Sequence, residues 1–281
     1  MKIRYLILAL ATGFTLVNCT EDVEKQAQPY LLRARQAYVH KKYHLARLQI
    51  DSVATLYPKA FDVRRQAQRL LLQVDLADAH DSMVYTDSLL QEVQGKLPVC
   101  KARLYLDKDT RYQNVGVYYA AGHRLERNAG RTYLRPQVDE QGKHSIVVFH
   151  RGKPVGGNLL RITASDGTYV EVPAVDEAHV SSDVSGKTER VDFVPGRVDM
   201  VGSFVKLHGG KRLKAELVGS KGKVTVPFAA AEVKAFAEVC ELTALLEAAS
   251  QLQMQRQELI RRMQFYETRL QADSVGTDVS R

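Results

Sequence analysis

The sequence predicts an α+β protein in which a helical base, built from both ends of the chain, carries an antiparallel β-sandwich or open barrel. Three observations predict this fold class. Apolar residues recur at helical spacing in the first and last parts of the chain. Residues 98–228 instead consist of short runs of β-branched and aromatic residues separated by turn signals. A composition of 45% hydrophobic and 26% charged residues is that of an ordinary globular protein.

The first element is a short apolar run behind a positively charged end. Lys2 and Arg4 precede apolar residues 5–17, and a helix of about thirteen residues is too short to cross a bilayer core. This pattern is typical of a secretory signal. Cys19, directly after Leu16, Val17 and Asn18, resembles the lipobox of bacterial lipoproteins, in which the thiol carries a diacylglyceryl group. We expect a signal peptide at residues 1–18 and lipid on Cys19; the alternative is a plain signal with an incidental cysteine.

Residues 19–97 predict helices, and their beginning resembles one tetratricopeptide repeat. Ala34, Ala46 and Pro58 recur at equal spacing, as small residues do where two antiparallel helices approach closely before a proline ends the second. The pattern predicts one helix to about residue 39, a turn at 40–42 and a partner helix at 43–56. Residues 60–94 predict one long helix. Since an isolated repeat cannot bury its own face, another element must cover it.

Residues 229–273 predict a long C-terminal helix, followed by a disordered tail at 274–281. Neither proline nor glycine occurs between residues 231 and 272, and apolar residues alternate at three and four positions, interrupted only by Arg256. We expect this helix to pack along residues 60–94 as an antiparallel, coiled-coil-like pair; a helix of another protein is the alternative partner. The stripe comprises Leu242, Leu245, Ala249, Leu252, Leu259, Met263, Tyr266 and Leu270, with Leu70, Leu71, Val74, Ala77, Val84 and Leu90 expected opposite.

The middle segment, residues 98–228, predicts about ten short strands. Leu213, Ala215 and Leu217 alternate with charged neighbours, which indicates a sheet with one wet face. Residues 99–106 and 203–207 are among the predicted strands, and residues 176–187 predict an exposed loop. The glycine-rich residues 152–157 superficially suggest a phosphate cradle, but no helix follows them, so a hairpin connection is favoured.

Positive charge is concentrated in this middle segment. The whole chain carries a formal charge of +8, and residues 98–228 hold 21 Lys or Arg against 14 Asp or Glu. Two basic patches could form a surface for an acidic glycan or lipid phosphates; the alternative is a set of solvated strand edges. The candidate anion-binding residues are Arg124, Arg127, Arg131, Arg135, Lys211, Arg212 and Lys214.

The two remaining cysteines, Cys100 and Cys240, lie near the two ends of the middle segment. An exported protein meets an oxidising compartment, so they could form a disulfide. Two buried free thiols are favoured over the disulfide, because two cysteines far apart in sequence are weak evidence of pairing.

No catalytic or metal-binding motif stands out. His40 and His44 are four residues apart, but the predicted turn separates them, so we expect no metal site and no cofactor. The GxSxG pattern of serine hydrolases does not occur, and neither does a nucleic-acid-binding motif. We therefore expect a non-enzymatic binding or scaffolding module; the alternative is an envelope hydrolase acting on glycan or peptide.

Three stretches of the chain resemble a family of uncharacterised lipoproteins of Bacteroidetes type. They are residues 56–61 (LYPKAF), 127–135 (RNAGRTYLR) and 211–214 (KRLK). The resemblance covers nearly the whole chain after the signal and implies lipid attachment at the outer membrane, with no catalytic residue to carry over. The acidic residues that soon follow Cys19 (Glu21, Asp22 and Glu24) resemble the export signal of surface lipoproteins of this type. The expected partners are a membrane, reached through Cys19, and an envelope protein or an anionic glycan or lipid, but no nucleic acid.

Overall fold

The computed structural model describes residues 17–184 and 186–278, with side-chain surroundings for residues 22–184 and 186–272. The predicted signal peptide at residues 1–18 lies almost wholly outside these ranges, and so does the thiol of Cys19. The chain divides into two compact units: a first unit of residues up to 89 together with those from 253 onwards, and a second unit of residues 90–252.

The described residues form helices and antiparallel sheets, which confirms the α+β class. The helices are α1 (Val17–Val39), α2 (Tyr43–Leu56), α3 (Phe61–Ala102), α4 (Leu125–Asn128), α5 (Asp199–His208) and α6 (Ala230–Asp278), and a 3₁₀ turn spans Ala121–His123. The strands are β1 (Tyr105–Asp107), β2 (Val117–Tyr119), β3 (Tyr133–Asp139), β4 (His144–Arg151), β5 (Gly157–Ala164), β6 (Tyr169–Pro173), β7 (His179–Asp183), β8 (Gly186–Phe193), β9 (Leu213–Gly219) and β10 (Gly222–Val226).

In the first unit, α1 and α2 form the predicted antiparallel pair around small residues. Ala34 and Ala46 are fully buried at 0% exposure, so the two backbones approach closely. Lys41 adopts a positive φ of 55° in the turn between the helices. The first half of α3 completes the core with Val63 and Val74. The element that covers the repeat-like pair is therefore the next helix in the chain.

The apolar stripe predicted on α6 is buried or half-buried at all eight positions, whereas residues 253–258 are exposed. Arg256, at this interruption, forms an ion pair with Asp87 of α3, with 2.7 Å between Nε and Oδ1. The set predicted to face the stripe needs correction: Leu70 and Val74 belong to the core with α1 and α2, and Val84 is exposed. The helix also runs to Asp278, into the segment 274–281 that was expected to be disordered.

The second unit contains a six-stranded sheet of order β1-β2-β3-β4-β8-β7 and a four-stranded sheet of order β10-β9-β5-β6. All strand pairs are antiparallel, and neither sheet closes into a barrel within the described residues. Both sheets contribute to one apolar core, as a sandwich requires. This core contains Leu134, Ile146, Val148, Val191 and Phe193 from the larger sheet, Leu160, Ile162, Ala215 and Leu217 from the smaller, Val201 and Val205 from α5, and Phe236 from α6.

Three sequence-based predictions of local structure are wrong. Residues 99–106 are not one strand, because α3 continues through Pro98 to Ala102 and buries Cys100 against the start of α6. Residues 203–207 lie in α5, where Val201 and Val205 bury one helical face. The predicted loop 176–187 contains β7 paired with β8; all five residues of β7 are exposed, so no alternation marks the strand.

The glycine-rich residues 152–157 are not a hairpin connection. β4 belongs to the six-stranded sheet and β5 to the four-stranded sheet, so this segment crosses from one sheet to the other. Gly156 has a positive φ of 66°, and a Cβ on Gly219 would lie 2.3 Å from the Gly156 carbonyl oxygen. The crossover therefore needs glycine at both positions.

Candidate functional site

The structure places the two basic patches on different sheets. Arg135 lies on β3, next to the core residue Leu134, and Lys214 lies on β9, between the core residues Leu213 and Ala215. Because side chains alternate along a strand, Arg135 and Lys214 both point away from the shared core, on opposite outer sides of the sandwich. The seven predicted residues therefore do not form one surface.

The lysines of the patch around β9 lie beside carboxylates. The ammonium groups of Lys214 and Lys223 lie 3.0 and 3.2 Å from Glu216 Oε1. Lys211 binds Asp166 and thereby holds the pKa of that carboxyl far below its usual range. Arg212 is exposed. The three lysines on this side of the four-stranded sheet are therefore partly balanced by carboxylates, which weakens their attraction for an external anion.

The outer side of the six-stranded sheet has a different chemistry, because its guanidinium groups lie over aromatic rings. The carbon of the Arg124 guanidinium is 4.3 Å from the centre of the Tyr105 ring. The guanidinium of Arg135 is 4.3 Å from the Tyr119 ring and 5.3 Å from Phe149. Such cation–π contacts are each worth about 0.5–2 kcal/mol. We call this surface the arginine–aromatic face; it consists of Tyr105, Tyr119, Arg124, Tyr133, Arg135, Phe149 and Arg190.

Strand register brings these residues together. Tyr133 lies opposite Phe149, which in turn lies opposite Arg190, and the Tyr133 and Phe149 rings stack with centres 4.7 Å apart. Tyr119 is 2% exposed, and its hydroxyl donates a 2.7 Å hydrogen bond to Asp107. Burial, assisted by that bond, raises the pKa of Tyr119 well above its ordinary value. The Tyr119 hydroxyl is therefore neutral, and Arg190 forms an ion pair with Asp192, with 2.8 Å between Nη2 and Oδ1.

Several buried polar atoms at this face have no hydrogen-bond partner among the described residues. They are Tyr133 Oη, Arg135 Nε and Gln137 Oε1 on β3, and Nδ1 of His123. The His123 ring is nearly parallel to that of Tyr133, with centres 6.4 Å apart. A buried polar atom without a partner costs about 1–3 kcal/mol, and in native proteins such atoms call for a specific explanation, such as a bound ion or water.

Arg127 and Arg131 flank the arginine–aromatic face. Arg127 lies in α4, and Arg131 precedes β3 by two residues; both are exposed. Neither these two nor Arg135 has a carboxylate partner within the described residues, whereas Arg124 lies 3.4 Å from Glu126. The first predicted patch is thus brought together around one end of β3. The sequence pattern missed Tyr105, Tyr119 and Phe149, which only the strand pairing places beneath the arginines.

Cys100 and Cys240 are free thiols, the first buried and the second half-buried, so the possible disulfide is not formed in this structure. Cys100 Sγ donates to Glu241 Oε1 at 3.3 Å. Consecutive residues of a helix point about 100° apart, so Cys240 is directed elsewhere than Glu241. Cys240 lies against Gly202 of α5, where a Cβ would come within 2.6 Å of Sγ.

Cys240 lies close to a histidine and an aspartate, which invites comparison with a hydrolase. His144 is 4% exposed, and its Nδ1 lies 3.9 Å from Asp199 Oδ1. Burial, however, raises the pKa of the Cys240 thiol to about 11 and lowers the pKa of His144. A nucleophilic cysteine requires the opposite shift. Within residues 17–184 and 186–278, no group of three or more His, Cys, Asp or Glu could hold a metal ion.

The first unit has a cleft of about 730 Å³ between α1, α2, α3 and α6. Its polar groups bind one another. The Tyr43 hydroxyl donates a 2.7 Å hydrogen bond to Asp81, and Lys41 Nζ lies 3.1 Å from the same carboxylate. Burial and Asp81 together raise the pKa of Tyr43 to about 12. These contacts fasten the turn between α1 and α2 to α3.

No protein-family model matches the chain, and neither curated proteins nor solved structures give a significant match. The resemblance to lipoproteins of Bacteroidetes type therefore stays a prediction. Of the helices in the described part of the chain, none is both long and apolar enough to span a membrane.

Proposed function

We propose that this protein is a non-enzymatic cell-envelope lipoprotein, attached to the outer membrane through Cys19, that binds an anionic glycan or lipid phosphate with the arginine–aromatic face. One observation carries the binding proposal. The Arg135 guanidinium lies over the Tyr119 ring and near the Phe149 ring, and no carboxylate pairs with it in the described residues.

This arrangement suits an anion for two physical reasons. A guanidinium that lies over a ring has few side-chain conformations left to lose on binding. Arg127 and Arg131 add unpaired positive charge beside it. A sulfate, carboxylate or phosphate group can accept two parallel hydrogen bonds from one guanidinium.

The test is a charge reversal with a matched control. Arg131→Glu should weaken binding to anionic vesicles or to an acidic polysaccharide by about tenfold at low salt, because the substitution lowers the local charge by two units. Arg212→Glu makes the same change in net charge on the other sheet and should alter binding by no more than about twofold. Equal losses in both variants would mean that binding follows overall charge, and an unchanged Arg131→Glu would sink the proposal.

The anchor is tested separately. Cys19→Ser should move the protein from the membrane fraction to the soluble fraction of the envelope, because no thioether to lipid can form. Mass spectrometry of the wild-type N-terminal peptide should show the added acyl chains. A Cys19→Ser protein that stays in the membrane fraction would contradict attachment through this residue. Protease treatment of intact cells then distinguishes the cell surface from the periplasmic face.

A further inference from the structure

A second site lies on the other side of the six-stranded sheet. It is a polar cleft of about 440 Å³, bordered by the crossover 154–158, the start of β7 and the turn between β9 and β10. Glu189 of β8 lies at its floor, and the next residue, Arg190, belongs to the arginine–aromatic face, so alternation separates the two sites. The residues that line the cleft include Asn158, Glu177, Val180, Glu189, Ser220 and Lys221.

The floor of this cleft contains a buried carboxylate. Glu189 is 0% exposed, and its two oxygens accept hydrogen bonds from the backbone N–H groups of Val155 at 2.9 Å and Gly157 at 2.8 Å. No basic side chain pairs with it among the described residues. These two N–H groups are the only hydrogen-bond partners of the Glu189 side chain among the described residues. A carboxylate without a cationic partner favours a positively charged group in the cleft above it.

The rim of the cleft provides two opposite charges. Glu177 and Lys221 are both exposed, and neither forms an ion pair within the described residues. Val180 supplies an apolar wall, and Asn158 and Ser220 supply hydrogen-bonding groups. The volume lies in the range of ligand-binding clefts, about 300–1,000 Å³. A ligand that fits this distribution carries a positive group, a negative group and a short, partly apolar connection.

We infer that this cleft binds a short peptide with free ends, whose ammonium group lies by Glu177 above the Glu189 floor and whose carboxylate binds Lys221. The proposal is independent of the arginine–aromatic face, because no residue is shared between the two sites.

The test uses isothermal titration calorimetry on the full chain with L-alanyl-L-alanine. The N-acetylated dipeptide lacks the ammonium group and the C-terminal amide lacks the carboxylate, so each should bind about tenfold more weakly. Glu177→Gln and Lys221→Gln should each weaken the unmodified dipeptide by about tenfold, since each removes one charged contact. Both residues are exposed, so neither change threatens the fold.

Two neighbouring residues serve as controls. Asp176→Asn removes one negative charge and Lys223→Gln one positive charge next to the cleft but outside its lining. Each should change the affinity for the dipeptide by less than about twofold. Three results would overturn the proposal: no heat of binding, equal affinity for the N-acetylated dipeptide, or equal losses in the control and lining variants. In a parallel NMR titration, the amide signals of Asn158, Val180 and Ser220 should shift with the dipeptide.

Discussion

Glu189 occupies, inside the protein, the position that a bound anion occupies in a phosphate cradle. The glycine-rich crossover turns the N–H groups of Val155 and Gly157 towards one point, and the Glu189 carboxylate accepts both. The glycines of residues 152–157 alone suggest a phosphate site. In the structure the group that accepts the backbone N–H bonds is a carboxylate of the chain itself. The same contact joins the two sheets, since Glu189 lies on β8 and Gly157 begins β5.

Glu189→Gln should therefore destabilise the protein by about 1–3 kcal/mol, because the amide presents two N–H donors where a backbone N–H expects an acceptor. Urea unfolding at neutral pH measures the loss. Glu177→Gln is the matched control, since Glu177 is exposed, and its unfolding midpoint should stay that of the wild type. An unchanged midpoint for Glu189→Gln would show that the cradle contributes nothing to stability.

At the scale of elements, the sequence predicted long periodic helices best. The predicted bounds of α1 and α2 agree with the structure because the small residues and the turn at 40–42 mark both helix ends. The prediction failed where tertiary packing decides the local structure. Residues 203–207, predicted as a strand, lie in the ten-residue helix α5. Strand β7 is exposed at all five positions and therefore shows no alternation. The helix predicted over residues 60–94 stops short of the end of α3, because the burial of Cys100 with Val239 and Leu242 extends the helical packing to Ala102.

The candidate site was predictable only in part. The clustering of arginines within residues 124–135 predicted a basic patch. The structure places these arginines around one end of β3. The rings beneath them come from β1, β2 and β4, and the sequence does not state which strands pair. The basic residues near β9 were predicted as part of the same surface, but strand alternation puts them on the opposite outer side, beside their own carboxylates.

At the scale of the whole molecule, the pH dependence of stability should follow from a histidine that is buried without charge. Burial lowers the pKa of His144 below its ordinary value of 6.5, and Asp199 at 3.9 Å only partly opposes this. Between the folded and unfolded pKa values of His144 the unfolded chain binds more protons, so stability falls as the pH is lowered below about 6.5.

Urea unfolding should show a loss of up to about 1 kcal/mol in the free energy of unfolding between about pH 7 and pH 5.5. His144→Gln should remove this dependence, because an amide does not titrate in this range, whereas His179→Gln on the exposed strand β7 should keep it. An equal slope in wild type and His144→Gln would assign the acid sensitivity to other groups.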